Sequence, residues 1–330
     1  MKLVELTLEN FRGAPDGAYP FADPSAGSAH DLVVITGGPS SGKTSVLEAI
    51  AAMTQLIGGN GPPPDPARLR RRGATSGTLA AKWLLTEEEA TAAEVDGLTL
   101  ATEASLADGP AELFPPRVRE VFSPRSAPAH ARLELFPANR RISLAPVPPR
   151  WPSPDLADAR HRLSKDPLKY AGVRAALVDL ALRDAFHAAD GLATRGLLAR
   201  WEQPDALARI KRSLAALAPW LRLAGVQQRG GTPMVWFQRR DGVEVELEDL
   251  SEGEQQALLF SVAFDRIGLD RAIVLVDVPE LFVHPGGQLD FLRALEGLGG
   301  ENQIIAATTS AEILAAVPPQ RVIRLGPPAA

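Results

Sequence analysis

The sequence of 330 residues contains no cysteine. This absence excludes disulfide bonds and thiolate sites for zinc or iron–sulfur clusters, and it is compatible with a reducing compartment. The chain also lacks any apolar run of the roughly 18–20 residues that a membrane helix needs. Its N-terminal residues alternate like a strand and carry no apolar core of a signal peptide. We therefore expect a cytoplasmic protein with no membrane partner.

An excess of positive charge is missing as well. The net charge is −5 and the sequence pI is about 5.7, which argues against a protein that coats nucleic acid over its whole surface. Two local basic clusters remain, Arg68–Arg72 and Arg140–Arg141. Contact with DNA phosphates is one interpretation of these clusters, and a solvated surface or a contact with a partner protein is the other.

A glycine-rich segment between an apolar strand and a helical pattern carries the strongest motif. Residues 37–44 read GGPSSGKT and match GxxxxGK[ST] at every fixed position. Glycines allow a tight turn around an anion, and the N–H groups at a helix N-terminus point toward phosphate. Lys43 then reaches the phosphates of ATP, and the Thr44 hydroxyl ligates Mg²⁺. The predicted nucleotide-binding residues of this segment are Gly37, Gly38, Ser40, Ser41, Gly42, Lys43, Thr44 and Ser45.

Two later segments fit partners of such a loop. Residues 273–277 read IVLVD, which predicts a buried Walker B strand ending in Asp277, whose carboxylate joins Thr44 at the metal. Residues 250–256 read LSEGEQQ. In this segment Ser251 and Glu254 have the spacing of an ordinary helix capping box, so capping and anion binding both remain open from these residues alone.

The order and spacing of these motifs resemble the ABC-type ATPase heads of RecF, SMC and OLD proteins. LSEGEQQ resembles the family signature, and DVPELFVHP at 277–285 and QIIAATTSAEIL at 303–314 resemble the segments that follow. LENFRG at the N-terminus resembles the family's opening, which implies that Arg12 contacts the nucleotide, unless it is a surface arginine. The resemblance covers residues 1–57 and about 207–325. It implies an α/β P-loop NTPase head with a mixed central sheet and a helical subdomain.

Two positions depart from this family pattern, and both concern hydrolysis. Val278 stands where the family has the glutamate that polarises the attacking water, and Thr309 stands where it has a switch histidine. Loss of a general base typically slows a reaction by about 10²–10⁴-fold. We therefore predict binding of ATP and Mg²⁺ with slow hydrolysis. Glu280 is either a partial substitute for the missing glutamate or a structural residue. The residues assigned catalytic roles are Lys43, Asp277, Glu280 and Thr309.

Composition and periodicity divide the chain into four segments. Residues 1–60 form the N-terminal part of the ATPase lobe, 61–154 an irregular and β-rich insert, 155–225 a helical subdomain, and 226–330 the C-terminal part of the lobe. Gln55 is a weak candidate for the Q-loop glutamine. His284 lacks a Cys or His at ligand spacing, so we interpret it as structural or close to the nucleotide.

The resemblance implies a homodimer that closes head-to-tail around ATP, in which Ser251, Gly253 and Glu254 serve the nucleotide of the opposite subunit. The resemblance further implies that the ATP-bound dimer acts on a separate effector protein, in phage defence or DNA maintenance. Three alternatives stay open from the sequence. They are a nucleotide-sensing scaffold that does not hydrolyse ATP, a RecF-like DNA-binding repair ATPase, and a P-loop kinase, which leaves the signature-like segment unexplained.

Overall fold

The structure is a computed structural model that describes residues 1–23, 27–58, 63–109, 113–122, 133–144, 163–180, 207–229 and 232–326. Contacts divide the chain into two compact units. The first unit comprises residues 1–139, 158–165 and 269–330, and the second comprises residues 140–157 and 166–268. This grouping places the strands of 61–139 with the P-loop. The four-segment division of the chain therefore stays a prediction.

Strands and helices are interspersed along the chain. The strands are β1 Lys2–Glu9, β2 Gly17–Pro20, β3 Leu32–Thr36, β4 Thr78–Leu84, β5 Thr99–Ser105, β6 Leu133–Phe136, β7 Leu221–Arg229, β8 Thr232–Arg239, β9 Glu244–Glu246, β10 Ile273–Asp277, β11 Gln303–Ala307 and β12 Val322–Arg324. The helices are α1 Lys43–Ile57, α2 Pro66–Leu69, α3 Glu87–Ala93, α4 Pro116–Val121, α5 at residues 173–180, α6 Ala208–Leu217, α7 Glu252–Ile267, α8 Gln288–Glu296 and α9 Ala311–Ala316. The predicted α/β class is confirmed.

A five-stranded parallel sheet forms the centre of the first unit. Its strand order is β12-β3-β11-β10-β6, and β3, β10 and β11 are buried at every position. Strands that are covered on both faces favour such uninterrupted apolar runs. Because all five strands run in the same direction, the residues that follow β3, β10 and β11 meet at one edge of the sheet.

A second, antiparallel sheet completes the first unit, with strand order β2-β1-β4-β5. Gln303, at the start of β11, connects this sheet to the parallel one. Its buried side chain accepts a hydrogen bond from the backbone N–H of Leu3 at 2.7 Å and donates to the Leu3 carbonyl at 2.9 Å and the His30 carbonyl at 3.1 Å. The side chain thereby supplies partners for buried backbone groups of β1.

The second unit combines helices with the antiparallel sheet β7-β8-β9. The predicted hairpin turn at Asp241-Gly242 lies between β8 and β9, as expected from its sequence. Residues 221–225, which the sequence analysis placed in the helical subdomain, form the start of β7 instead. There Leu221 and Leu223 are buried and Arg222 is exposed, and this period of two suits a strand. Leu182, part of the predicted helical pattern, lies outside the described residues.

In the described part of the chain, none of the helices has both the length and the apolar character required to span a bilayer.

Candidate nucleotide-binding site

The predicted P-loop joins the end of β3 to the start of α1. Gly42 caps this helix in a left-handed conformation, with φ of 94°, and no side chain caps the helix. A Cβ at Gly42 would lie 2.5 Å from the Gly13 carbonyl oxygen and 2.9 Å from the Ala14 Cα. The loop at residues 13–14 therefore packs directly against the P-loop. Only glycine fits both the backbone conformation and the space at position 42.

Lys43 lies across this loop. Its ammonium group donates to the carbonyl oxygens of Gly37 at 2.9 Å and Gly38 at 2.8 Å. An open cavity of about 220 Å³ lies beside it, lined by Gly13 and residues 40–45. Ser40 is exposed, whereas Ser41 is buried and its hydroxyl has no hydrogen-bond partner among the described residues. A lysine, a helix N-terminus with no acidic residue in its first turn and small side chains fit a phosphate chain.

Thr44 and Asp277 meet at the carboxyl edge of the sheet. The Thr44 hydroxyl donates to the Asp277 carboxylate at 3.0 Å, although the two residues are 233 positions apart. Asp277 is buried. These oxygen atoms are the ligand type that Mg²⁺ prefers, and Mg²⁺ usually takes one or two protein oxygens with water and phosphate completing the shell. The described residues hold no cluster of three or more His, Asp or Glu that would bind a metal by itself.

Arg12 lies beside this cavity in a left-handed backbone conformation, with φ of 39°. Its guanidinium donates to the Glu48 carboxylate at 2.5 Å, and burial lowers the pKa of Arg12. Glu48 follows Thr44 by four positions on α1, one helical turn along the same face. The structure thus pairs Arg12 with a carboxylate of α1 that the sequence analysis missed. Contact of Arg12 with the nucleotide stays a prediction.

Lys165 also joins this region and was not predicted. It forms an ion pair with Glu48, and its backbone carbonyl accepts a hydrogen bond from the Asn139 side chain at 3.0 Å. Asn139 follows β6, the neighbour of β10 in the sheet. The four-residue spacing from Thr44 was a signal for Glu48. No local pattern marked Lys165, because its contact with α1 depends entirely on tertiary folding.

The turns after β10 and β11 hold the positions that depart from the family pattern. Val278 adopts a left-handed conformation, with φ of 54°, which is uncommon for a β-branched residue. The Glu280 carboxylate accepts a hydrogen bond from the backbone N–H of Thr309 at 3.1 Å. The Thr309 side chain is exposed. Glu280 and Thr309 therefore lie together. Gln55 lies on α1. His284 caps a short 3₁₀ turn, and its side chain accepts a hydrogen bond from the Gly286 backbone N–H at 3.2 Å.

The signature-like segment lies in the second unit, at the start of α7. Ser251 caps the helix and is exposed. The Ser251 hydroxyl accepts a hydrogen bond from the Glu254 backbone N–H at 3.3 Å. The Glu254 carboxylate accepts one from the Ser251 backbone N–H at 2.8 Å and pairs with Arg239 at 3.0 Å. Burial by itself would raise the pKa of Glu254, but hydrogen bonds from Arg239 and Ser251 lower it overall. Gly253 is half-buried in the first turn. The structure therefore contains the predicted capping box, and Ser251 remains exposed at the surface.

Three of the six arginines considered for DNA contact are held within the fold. Arg70 pairs with Asp108 at 3.0 Å, and Arg71 pairs with Asp16 at 2.7 Å and also donates to the Ala14 carbonyl. Arg140 is buried in the second unit. These contacts use the guanidinium groups for the fold and leave Arg68, Arg72 and Arg141 as the more accessible members of the two clusters.

Comparisons with known proteins give the family and the fold of the chain. A sequence profile of the family "AAA domain, putative AbiEii toxin, Type IV TA system" matches residues 32–315. No match was found among curated proteins. An SMC head bound to the C-terminal winged-helix domain of ScpA is similar in structure, with a TM-score of 0.55 and 14% identity over 96% of this chain and 92% of that one. The SMC head of Thermotoga maritima gives a TM-score of 0.46 and 13% identity, over 96% of this chain and 92% of that one. The chain therefore belongs to this AAA-domain family of P-loop ATPases and has the fold of an SMC-like head.

Proposed function

We propose that this protein is an ATP-binding switch that closes as a head-to-tail dimer, hydrolyses ATP slowly and acts on a separate effector protein. The observation that carries the proposal is the contact of Thr44 with Asp277 beside the P-loop. It joins a hydroxyl and a carboxylate next to a lysine and a helix N-terminus, which is the set of groups that Mg²⁺ and a triphosphate require.

Within this proposal, residues 37–45 bind the phosphates and Lys43 leaves its loop carbonyls for the β- and γ-phosphates. Thr44 and Asp277 hold Mg²⁺. When bound, Mg²⁺ neutralises charge on the phosphate oxygens and thereby stabilises transfer of the terminal phosphoryl group to water. Arg12 contributes a further positive charge at the side of the site.

Slow hydrolysis follows from the two departures. The Val278 side chain has no group that accepts a proton, and Thr309 donates a hydrogen bond without adding charge. Glu280 is the remaining carboxylate close to Thr309. Tight binding with weak turnover suits a switch, because the ATP-bound state then persists long enough for a partner to respond.

The dimer and the effector are inferred from family likeness. In a closed head-to-tail pair, the Ser251 hydroxyl and the start of α7 would face the phosphates held by the partner, an isologous arrangement that repeats twice. The similar SMC head was solved with a domain of ScpA, so a protein partner is a reasonable expectation for this chain. The family description names a toxin of a type IV TA system, and both phage defence and DNA maintenance stay proposals for the setting of this chain.

The test is the mass of the full chain in solution, measured by light scattering with Mg-ATP, with Mg-ADP and without nucleotide. We expect a dimer only with Mg-ATP, and ATP still intact in the dimer peak. Lys43→Ala should abolish the response, whereas Lys82→Ala, which removes a surface lysine paired with Glu5 at 2.8 Å, should retain it. A mass that ignores nucleotide would contradict the dimer model.

A nucleotide-sensing scaffold without hydrolysis is the second candidate, and Val278 is the observation that favours it. Steady-state phosphate release separates the two. Release above that of Lys43→Ala supports a slow ATPase, and release equal to that variant supports the scaffold.

A further inference from the structure

Glu48 is a shared partner of two cations beside the P-loop. Its side chain is 14% exposed and pairs with Arg12 from the N-terminal loop and with Lys165 from the middle of the chain. One carboxylate thus faces two positive charges. Because Glu48 lies one turn beyond Thr44 on α1, this cluster of three charges borders the magnesium and phosphate positions proposed above.

The charges around Lys165 indicate that its side chain lies near the proposed magnesium and phosphate positions. Burial lowers the pKa of Lys165, nearby Asp277 raises it, and Arg12 lowers it. The effect of Asp277 means that Lys165 lies within electrostatic reach of the Walker B carboxylate. Lys165 is also about half exposed, so its flexible side chain has room to change partners.

The backbone of Lys165 is anchored where the chain passes between the units. Lys165 is the last residue of a first-unit segment, and Asn139 is the last residue of another. The Asn139 side chain donates a hydrogen bond to the Lys165 carbonyl at 3.0 Å, which joins the ends of these two segments of the first unit. Lys165 therefore combines an anchored backbone with a half-exposed ammonium group, which suits a residue that changes partners when a nearby site is filled.

We propose that Lys165 is a phosphate-binding residue of the nucleotide site, which exchanges Glu48 for the phosphate chain when a nucleoside triphosphate binds. The inference rests on the proposed function and adds a residue that no motif contains. A triphosphate carries more negative charge than one carboxylate, and hydrogen bonds between an ammonium group and phosphate are among the stronger ones in proteins. Glu48 keeps Arg12 as its partner after the exchange.

The experiment is a titration of the full chain with ATP and Mg²⁺, followed by calorimetry, at two salt concentrations. We expect Lys165→Ala to weaken binding about tenfold, the effect of one lost charged contact, and Lys165→Arg to recover part of the loss. Glu48→Gln removes the competing carboxylate and should bind ATP at least as tightly as the wild type. Lys82→Ala, which also breaks a lysine–glutamate pair of the first unit, should bind within twofold of the wild type.

Thermal unfolding without nucleotide separates a structural role from a binding role. If Lys165 served only as the partner of Glu48, Lys165→Ala would lower the unfolding temperature and leave ATP affinity unchanged, which would overturn the inference. Its failure is distinct from failure of the proposed function. If ATP binds the wild type and Lys165→Ala equally well but does not bind Lys43→Ala, only the role of Lys165 is refuted. Absence of ATP binding by the wild type refutes both.

Discussion

The backbone N–H of Thr309 donates a hydrogen bond to the Glu280 carboxylate at 3.1 Å. This bond connects the turn after β11 with the turn after β10, the two places where the family pattern predicts hydrolytic groups. The second carboxylate oxygen of Glu280 is buried and has no hydrogen-bond partner in the described part of the chain. One oxygen of Glu280 thus orders Thr309. A role of Glu280 as a base requires that the other, buried oxygen gain access to water.

Substitution of Glu280 separates these two roles. Glutamine keeps an acceptor for Thr309 but is not a base, so Glu280→Gln should lower residual ATP turnover at least about tenfold and leave the unfolding temperature nearly unchanged. Glu280→Ala should lower both. Phosphate release and thermal unfolding measure the two effects. Wild-type turnover in Glu280→Gln would assign Glu280 an ordering role alone.

Restoring an acid at position 278 should accelerate hydrolysis. Val278→Glu supplies the carboxylate that the family pattern has at this position, and we expect turnover to rise about tenfold or more. Val278→Gly is the matched control. It removes the strain of a side chain in the left-handed region and adds chain entropy, so the unfolding free energy should change by less than about 1 kcal/mol. Faster turnover in Val278→Gly would show that backbone strain, not the missing acid, limits the rate.

The Glu254 capping box should make stability depend on acid pH. Because the pKa of Glu254 in the fold lies below its ordinary value of 4.5, its charged form stabilises the fold at pH above 4.5. That contribution is lost as pH falls through the lower pKa of the folded state. Unfolding temperature measured from pH 7 to pH 3 should therefore fall more steeply for the wild type than for Glu254→Gln. Parallel curves for the two proteins would contradict this role.

Arg140 and Gln256 form a buried pair that should matter for stability. The Arg140 guanidinium donates to the Gln256 side chain at 2.7 Å, the Gln256 amide donates to the Arg140 carbonyl at 3.3 Å, and the guanidinium lies 5.1 Å from the Phe260 ring centre. Gln256→Leu leaves a buried charge with a lost acceptor, so we expect a cost of about 1.5–3 kcal/mol in denaturant unfolding.

Gln255→Leu is the control for this pair. Gln255 is half-buried, and its side chain donates to the Leu250 carbonyl at 3.0 Å, so the expected cost is below about 1.5 kcal/mol. Equal losses in the two variants would indicate that leucine at this end of α7, rather than the Arg140 contact, causes the destabilisation.

Local patterns predicted the elements that carry the motifs. The strand before the P-loop, the helix after it, the Walker B strand and the strand at 303–307 all occur at the expected residues. Such elements follow from apolar runs, glycine turns and helical periodicity, which act over a few neighbouring residues. The short helix α4 and the strand β7 were missed, since proline-rich and arginine-rich sequence around them hides the pattern.

The sequence by itself predicted that residues 37–44 bind phosphate. It also determined that an aspartate ends an apolar run at residues 273–277, and that Val278 and Thr309 stand where the family pattern has the acid and the switch histidine. These are properties of single positions and short motifs. Only the tertiary structure decided that Thr44 meets Asp277, that Glu280 holds Thr309, and that Lys165 reaches Glu48. Those contacts depend on strand order and parallel alignment, because residues distant in the chain meet only where the sheet brings their strand ends to one edge.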